Sequence, residues 1–323
     1  KRFTKPILYN KSASIWDLGD EIACLEFHSK MNAIDGETVS MIKQASRINL
    51  KGFKALVIAN DSKNFSVGAN VGLALFAANA AMWPLLEQTT NEGQKAITGL
   101  KYSPFPVVAA PSGMTLGGGC EVCLHSDAIQ AHCELYMGLV EVGVGLVPAW
   151  GGTKEMIMRH YFNKDRPGGY MPPVIEAFQT IGLAKISKSA SEARDLLFLR
   201  KDDGITMNRN RLLSDAKKKA LILSQDYKPP SSEEVISLPG EAGKIALSMA
   251  TNEMKKAGKI SDHDLFISEI LAEIICGGDT DITETVNEKK LLDLEKKSIL
   301  RRLIIGKILK NMLNILLVNY QIS

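Results

Sequence analysis

The sequence predicts an α/β protein, in which a repeated strand–strand–helix theme gives way to a helical C-terminal region. Three observations carry this. Two short strand-like runs flank a Gly-Asp pair near the N-terminus, and short apolar runs then alternate with stretches of helical period. Beyond Met171 the helical period dominates. The expected division is a core over 1–200 and a helical region over 201–323.

In chain order, Ala13 to Leu18 and Glu21 to Phe27 read as a hairpin, because Gly19-Asp20 has turn chemistry. Glu37 to Ile48 reads as a helix, with apolar Val39, Ile42 and Ala45 at three-residue steps. Lys54 to Ala59 and Pro106 to Ala110 fit buried strands. Leu73 to Leu100 is helical in character, with an interruption expected at Pro84. Ala128 to Ala131 reads as a short strand, and Ser189 to Leu199 as a helix. Pro229-Pro230-Ser231-Ser232 interrupts any regular element and reads as a linker.

The chemistry concentrates in Gly113 to Glu121, GMTLGGGCE. Glycine costs conformational entropy, so Gly117, Gly118 and Gly119 in succession suggest a close approach to bare backbone. A helix start beyond them aims free N–H groups at that spot, where an anion or a developing oxyanion would be held. Glu121 then offers an acid or base. Tight loop packing beside a solvated glutamate is the other reading of these nine residues. Glu141 sits in an apolar stretch with glycines at 138, 143 and 145, where an ionised side chain is costly without a partner or a task. The turn Pro148-Ala149-Trp150-Gly151-Gly152-Thr153 leads into another helix.

Composition narrows the class. Hydrophobic residues make up 45% and charged residues 23% of 323, as in a globular protein, and the net charge of +3 is too balanced for a nucleic-acid surface. There is neither a signal-peptide pattern nor an 18-residue apolar span, and an odd count of five cysteines fits free thiols, so a cytoplasmic protein without a membrane span is expected. Cys120 and Cys123 form a CxxC near His125, His132 and Cys133, but no second pair stands at zinc spacing. They read as small buried hydrophobes, with no metal expected. No GxGxxG follows a strand and opens a helix, so no NAD site is expected within these residues. Lys1 in place of Met fits a fragment, a processed product or a part of the chain.

The combined pattern GMTLGGGCEVCLHSDAIQAHCELYMGLVEVGVGLVPAWGGT resembles the enoyl-CoA hydratase (crotonase) superfamily. Asn64-Phe65-Ser66-Val67-Gly68-Ala69-Asn70 and Met31-Asn32-Ala33-Ile34 resemble that family's two other hallmark loops, in family order. The likeness covers most of residues 15 to 200 and is nearest to the hydratase half of bacterial two-function 3-hydroxyacyl-CoA dehydrogenase/enoyl-CoA hydratases. It implies a crotonase-like spiral of ββα units followed by a helical region. It also implies hydration of an acyl-CoA thioester, association into a trimer or a dimer of trimers, and NAD chemistry only in a dehydrogenase portion upstream.

Residue by residue, the resemblance implies that the backbone N–H groups of Ala69 and Gly118 form an oxyanion hole. Glu121 would act as general base and Glu141 as the acid, their carboxylates meeting at one water that the Ala149 N–H helps orient. Relatives with other chemistry commonly lack one glutamate of the pair. Alanine at 149 replaces the family's usual glycine and Asn70 its usual aspartate. A positive φ at Ala149 would strain the turn by about 1–2 kcal/mol. Lys30 and Lys63, with Ala33 and Val67 nearby, are candidate CoA contacts, although both lysines also fit ordinary solvated surface. Met82, Trp83, Leu85 and Leu86 fit either an acyl pocket or core packing. Apolar residues from Leu291 to Tyr320 recur at helical spacing between basic ones, which suits a docked helix or a membrane-surface helix. The alternative to an active hydratase is a weakened acyl-CoA-binding or assembly module.

Overall fold

The computed structural model describes residues 5–70, 72, 76, 77 and 80–299. Its strands are β1 (Leu8–Tyr9), β2 (Ala13–Asp17), β3 (Ile22–Phe27), β4 (Ala55–Ile58), β5 (Val107–Ala109), β6 (Gly113–Leu116), β7 (Ala128–His132), β8 (Leu135–Gly138), β9 (Gly204–Thr206), β10 (Val235–Ser237) and β11 (Thr285–Asn287). Ten α-helices occur among the described residues. They are α1 (Gly36–Ala45), α2 (Trp83–Lys101), α3 (Gly118–Leu124), α4 (Gly152–Phe162), α5 (Met171–Gly182), α6 (Ala190–Asp195), α7 (Leu212–Leu223), α8 (Gly240–Lys256), α9 (Asp262–Ile275) and α10 (Glu288–Ile299). The chain divides into two compact units. The first is Lys1–Asn70, Glu92–Gly138 and Ile186–Ser232; the second is Val71–Asn91, Leu139–Lys185 and Glu233–Ser323.

The first unit holds a seven-stranded sheet ordered β1-β2-β3-β4-β5-β7-β9. The first two pairings are antiparallel and the rest parallel. The hairpin is the expected one, with Ala13 opposite Phe27 and Asp17 opposite Ala23. Its turn takes three successive positive φ values at Gly19, Asp20 and Glu21, and the Asp17 carboxylate accepts the Gly19 N–H at 2.7 Å. The central strands β4 and β5 are buried throughout, hence their unbroken apolar runs. One sheet face (Ile22, Cys24, Val57, Val108 and Ala128 among others) packs on Leu212, Ala216 and Ala220 of α7, spaced at four-residue steps along one side of that helix. A second, two-stranded parallel pair, β6 with β8, carries the glycine run out of its end.

In the second unit α9 packs against α8, α5, α4 and α10, and β10 pairs antiparallel with β11. The helix α9 begins with a capping box, in which Ser261 and Asp264 satisfy each other's backbone N–H groups.

Several expectations need correcting. The interruption expected at Pro84 falls just before it: residues 80–82 are non-helical, and Pro84 lies in the first turn of α2, where its missing N–H costs nothing. The helix expected over Ser189 to Leu199 stops at Asp195, because Leu197 turns left-handed at φ 59°. Residue 200 does not separate the compact units, and residues 201–232 belong to the first. There β9 extends the main sheet and α7 covers its face. The C-terminal region is therefore not purely helical. Its basic amphipathic stretch is helical from Leu291 to Ile299, while Leu300, Leu303, Ile304, Ile308, Met312 and Leu316 lie outside the described residues. Among the described residues no helix is long and apolar enough to cross a membrane.

Candidate active site

In the first unit, the loop 60–70 is stapled on two sides. On one side Phe65 N–H donates to Ser112 O (2.9 Å), Ser66 N–H to Met114 O (3.1 Å) and Leu116 N–H to Ser66 O (2.9 Å), which fixes the loop on β6. On the other, the Asn32 amide donates to Ser62 Oγ (2.7 Å) and Asn64 O (3.0 Å), while Ser66 Oγ donates to Asn32 O (2.7 Å). Ile34 then forms a parallel bridge with Ala69, using Ile34 N–H to Gly68 O (2.8 Å) and Asn70 N–H to Ile34 O (3.0 Å). In such a bridge the N–H of the middle residue points away from the partner strand. The Ala69 N–H thus faces away from Ile34.

Gly68 sits at φ 93°, and a Cβ placed on it would lie 2.9 Å from Leu116 O and 3.1 Å from Gly118 N. The backbone of 68–69 and the start of α3 are therefore neighbours, although some fifty residues apart in sequence. Gly118 is the first residue of α3, where an N–H has no partner within the helix. Gly117 reaches φ 53° to bring it there, and Gly119 lies so close to Ser66 that a Cβ would meet Ser66 Cβ at 2.6 Å. The three glycines answer three separate demands: an unusual φ, an open donor and a close packing contact. Glu121 follows in the first turn of α3, 2% exposed, on the side of the helix macrodipole that favours a carboxylate.

The predicted CoA contacts belong to the same unit. Lys30 is exposed in the one-turn helix Lys30–Asn32, Ala33 N–H closes that turn on Lys30 O (3.2 Å), and Val67 is half-buried. The lacing of Asn32 to Ser62 and Asn64 brings Lys30 and Ala33 alongside the stretch holding Lys63 and Val67. Arg209 was not among the predicted residues. Its guanidinium donates to Ser62 O and to Lys63 O (3.3 Å), adding a third cation beside the exposed Lys63. Asn208 caps the one-turn helix Arg209–Arg211, but spacing could not reveal a contact 146 residues away.

At the start of the interior strands β5 and β7, Asp127 Oδ2 accepts Val107 N–H and Oδ1 accepts the Tyr227 hydroxyl, each at 2.8 Å. Burial pushes the Asp127 carboxyl above its ordinary range, despite those two bonds and the nearby Arg200.

In the second unit, Glu141 opens the one-turn helix Glu141–Val144 and is half-buried, not open to bulk water. Ala149 is buried and is absent from the described non-glycine residues with positive φ, so the feared backbone strain does not arise there. Trp83 and Leu85 pack against buried Leu86 and Ala77, a core cluster, whereas Met82 is 41% exposed. The turn at 149–153 ends in α4, whose N-terminus is held by α10. Glu295 accepts Gly151 N–H and Lys154 N–H, both at 2.7 Å, and the fully buried Lys154 ammonium donates to Glu155 (2.6 Å) and Glu288 (2.5 Å). Cys120 and Cys123 are wholly buried in α3.

Residues 18–160 match the family described as Enoyl-CoA hydratase/isomerase. The chain is 43% identical over 295 residues, 91% of its length, to a probable 3-hydroxyacyl-CoA dehydrogenase of Bacillus subtilis, of which it covers 37%. It is 29% identical over 245 residues, 76% of its length, to a putative fatty acid oxidation complex trifunctional enzyme of Rickettsia felis, of which it covers 31%. It thus spans about a third of the length of these curated relatives. Among solved structures, an enoyl-CoA hydratase from Bacillus halodurans superposes with a TM-score of 0.63 at 16% identity, covering 93% of this chain and 98% of that one. The enoyl-CoA hydratase from Bacillus anthracis gives 0.55 at 16% identity, with 82% and 90% covered. The fold is the crotonase fold.

Proposed function

We propose, from the match of residues 18–160 to the Enoyl-CoA hydratase/isomerase family, that the protein adds water across the 2,3 double bond of a 2-enoyl-CoA thioester. The observation that carries the reading is the approach of the 68–69 backbone to Gly118 N, with both flanking N–H groups directed out of their own hydrogen-bonded ladders. Two such donors suit a thioester oxygen that gains enolate character, and losing one typically costs about 3–4 kcal/mol of transition-state stabilisation.

The steps follow from the residues. Ala69 and Gly118 N–H groups hold the thioester oxygen. Ionised Glu121 takes a proton from water as the water oxygen bonds to C3, and the π electrons move onto C2 and the thioester as an enolate. Protonated Glu141 then delivers its proton to C2. The net change is addition of H and OH, and proton exchange with solvent returns both glutamates to their starting states. The Ala149 N–H orients the water, and Lys30 and Lys63, beside Ala33 and Val67, meet the CoA moiety.

The proposal extends to the setting of the reaction. The chain works in fatty-acid β-oxidation as the hydratase portion of a longer protein whose dehydrogenase portion binds NAD, and it self-associates as a trimer or a pair of trimers. It is placed in the cytoplasm. The names of the B. subtilis and R. felis relatives support the first of these points.

The test is hydration of crotonyl-CoA, followed by loss of the conjugated thioester's absorbance, with Glu121→Gln and Glu141→Gln beside the unaltered protein. Each variant is expected to lose about two to four orders of magnitude in turnover while still binding acyl-CoA. Near-normal turnover in either removes that glutamate from the mechanism, and an inactive parent protein that still binds acyl-CoA overturns the hydratase reading.

A further inference from the structure

The turn 148–153 is held from a distant part of the chain. Glu295, fully buried on α10, places both carboxylate oxygens on the start of α4: Oε2 accepts Gly151 N–H and Oε1 accepts Lys154 N–H, each at 2.7 Å. A carboxylate there is favoured by the free N–H groups and by the positive end of the helix. Three residues on from that anchor, Ser298 Oγ donates to Glu295 O at 2.6 Å and stiffens the last turns of α10. Seven residues before it, Glu288 meets the buried Lys154 ammonium, so α10 grips α4 at two points a helical span apart. Gly151 itself stands at φ 100°, two residues after Ala149.

We propose that Glu295 is a positioning residue for hydration: by fixing the Gly151 and Lys154 N–H groups it sets the backbone of the Ala149 turn, whose N–H orients the attacking water. This rests on the hydratase reading above. A buried charge with both oxygens committed to backbone donors is a stiff restraint, because moving the turn strands a desolvated carboxylate. A displacement of about 1 Å in such a water-orienting group costs on the order of a hundredfold in rate.

The test compares three proteins as full chains: the parent, Glu295→Gln and Leu291→Ala. Gln keeps the size but has one oxygen in place of two and turns an NH₂ toward a backbone N–H. Leu291 is buried on the same helix, so its truncation loosens α10 without removing a bond to the turn. Three measurements are made: thermal midpoint, kcat and KM for crotonyl-CoA, and amide hydrogen exchange of peptides covering 148–154. Glu295→Gln is expected to lower kcat roughly 10–100-fold with little change in KM and to raise exchange over 148–154. Leu291→Ala is expected to lower the midpoint comparably and retain kcat. Equal losses of kcat in both variants, or unchanged kcat in Glu295→Gln, overturn the positioning role. Should the parent be inactive, the hydratase reading fails alone, and the exchange data still decide whether Glu295 holds the turn.

Discussion

A single methyl group at residue 119 tests the geometry of the glycine run. In Gly119→Ala the new Cβ would stand 2.6 Å from Ser66 Cβ and 2.9 Å from both Ser66 O and Ser66 Oγ. Carbon contacts need about 3.5–4.0 Å, so one side must retreat by roughly an ångström. Ser66 is poorly able to, since its N–H, carbonyl and hydroxyl hold Met114 O, Leu116 N–H and Asn32 O, and its Oγ also accepts Gly68 N–H at 3.2 Å. The start of α3 must therefore move, shifting Gly118 N–H relative to the 68–69 backbone that it approaches. The expected cost is about 1–3 kcal/mol of stability from overpacking. The rate should fall by about a hundredfold from the misplaced donor. Thermal unfolding and crotonyl-CoA hydration measure the two. The same exchange at Gly99, in α2, supplies the contrast. Its Cβ would meet only Ser46 Oγ at 3.4 Å and Ser46 Cβ at 3.7 Å, ordinary contacts, so Gly99→Ala should gain up to about 1 kcal/mol of helix stability and leave activity alone. A Gly119→Ala protein with the parent's midpoint and kcat/KM would refute the argument.

Three further outcomes are expected. His160 has its imidazole pulled down to about 4, first by burial and then by Lys185 and Arg159, from an ordinary value of 6.5. The unfolded chain therefore takes up a proton before the folded one does. Stability is complete above pH 6.5 and falls as pH drops toward 4, by at most about 3 kcal/mol for 6.5 − 4 = 2.5 pH units. Denaturant midpoints from pH 7 to 4 should flatten in His160→Gln, and an unchanged slope would remove His160 as the cause. Lys154→Met deprives Glu155 and Glu288 of a fully buried cation and should destabilise by about 3–5 kcal/mol, read as the shift in urea midpoint; a loss under 1 kcal/mol would show that the ammonium is dispensable. Calorimetry with NAD should detect no binding to this chain, and a micromolar dissociation constant would overturn that expectation.

Much of this was legible in the sequence because the clues were local. Gly19-Asp20 marked the hairpin, the buried runs at 54–59 and 106–110 marked β4 and β5, and Gly-Gly-Thr marked the start of α4. The glycine run announced a close approach to bare backbone, yet part of that approach is by Ser66 of the same chain. What escaped was whatever depended on distant partners. Arg209 reaches Ser62 and Lys63, Glu295 reaches Gly151, and α7 covers a sheet face begun at Ile22. A run of helical period beyond residue 200 tells that a helix forms. It does not tell which sheet the helix will cover, nor that Gly204–Thr206 will leave it to join β7.

The packing of α7 on the sheet also bears on the order of assembly during synthesis. The face carrying Ile22 and Cys24 is complete only when Leu212, Ala216 and Ala220 arrive, some 190 residues later (212 − 22). At about 5–20 residues per second, that interval is roughly 10–40 s of translation. Throughout it the nascent β3 and β4 carry an apolar face that α7 has yet to cover, and segments of the two units alternate along the sequence. Neither unit can finish as a contiguous stretch leaving the ribosome, so a chaperone that shields apolar surface has its longest opportunity here before α7 emerges.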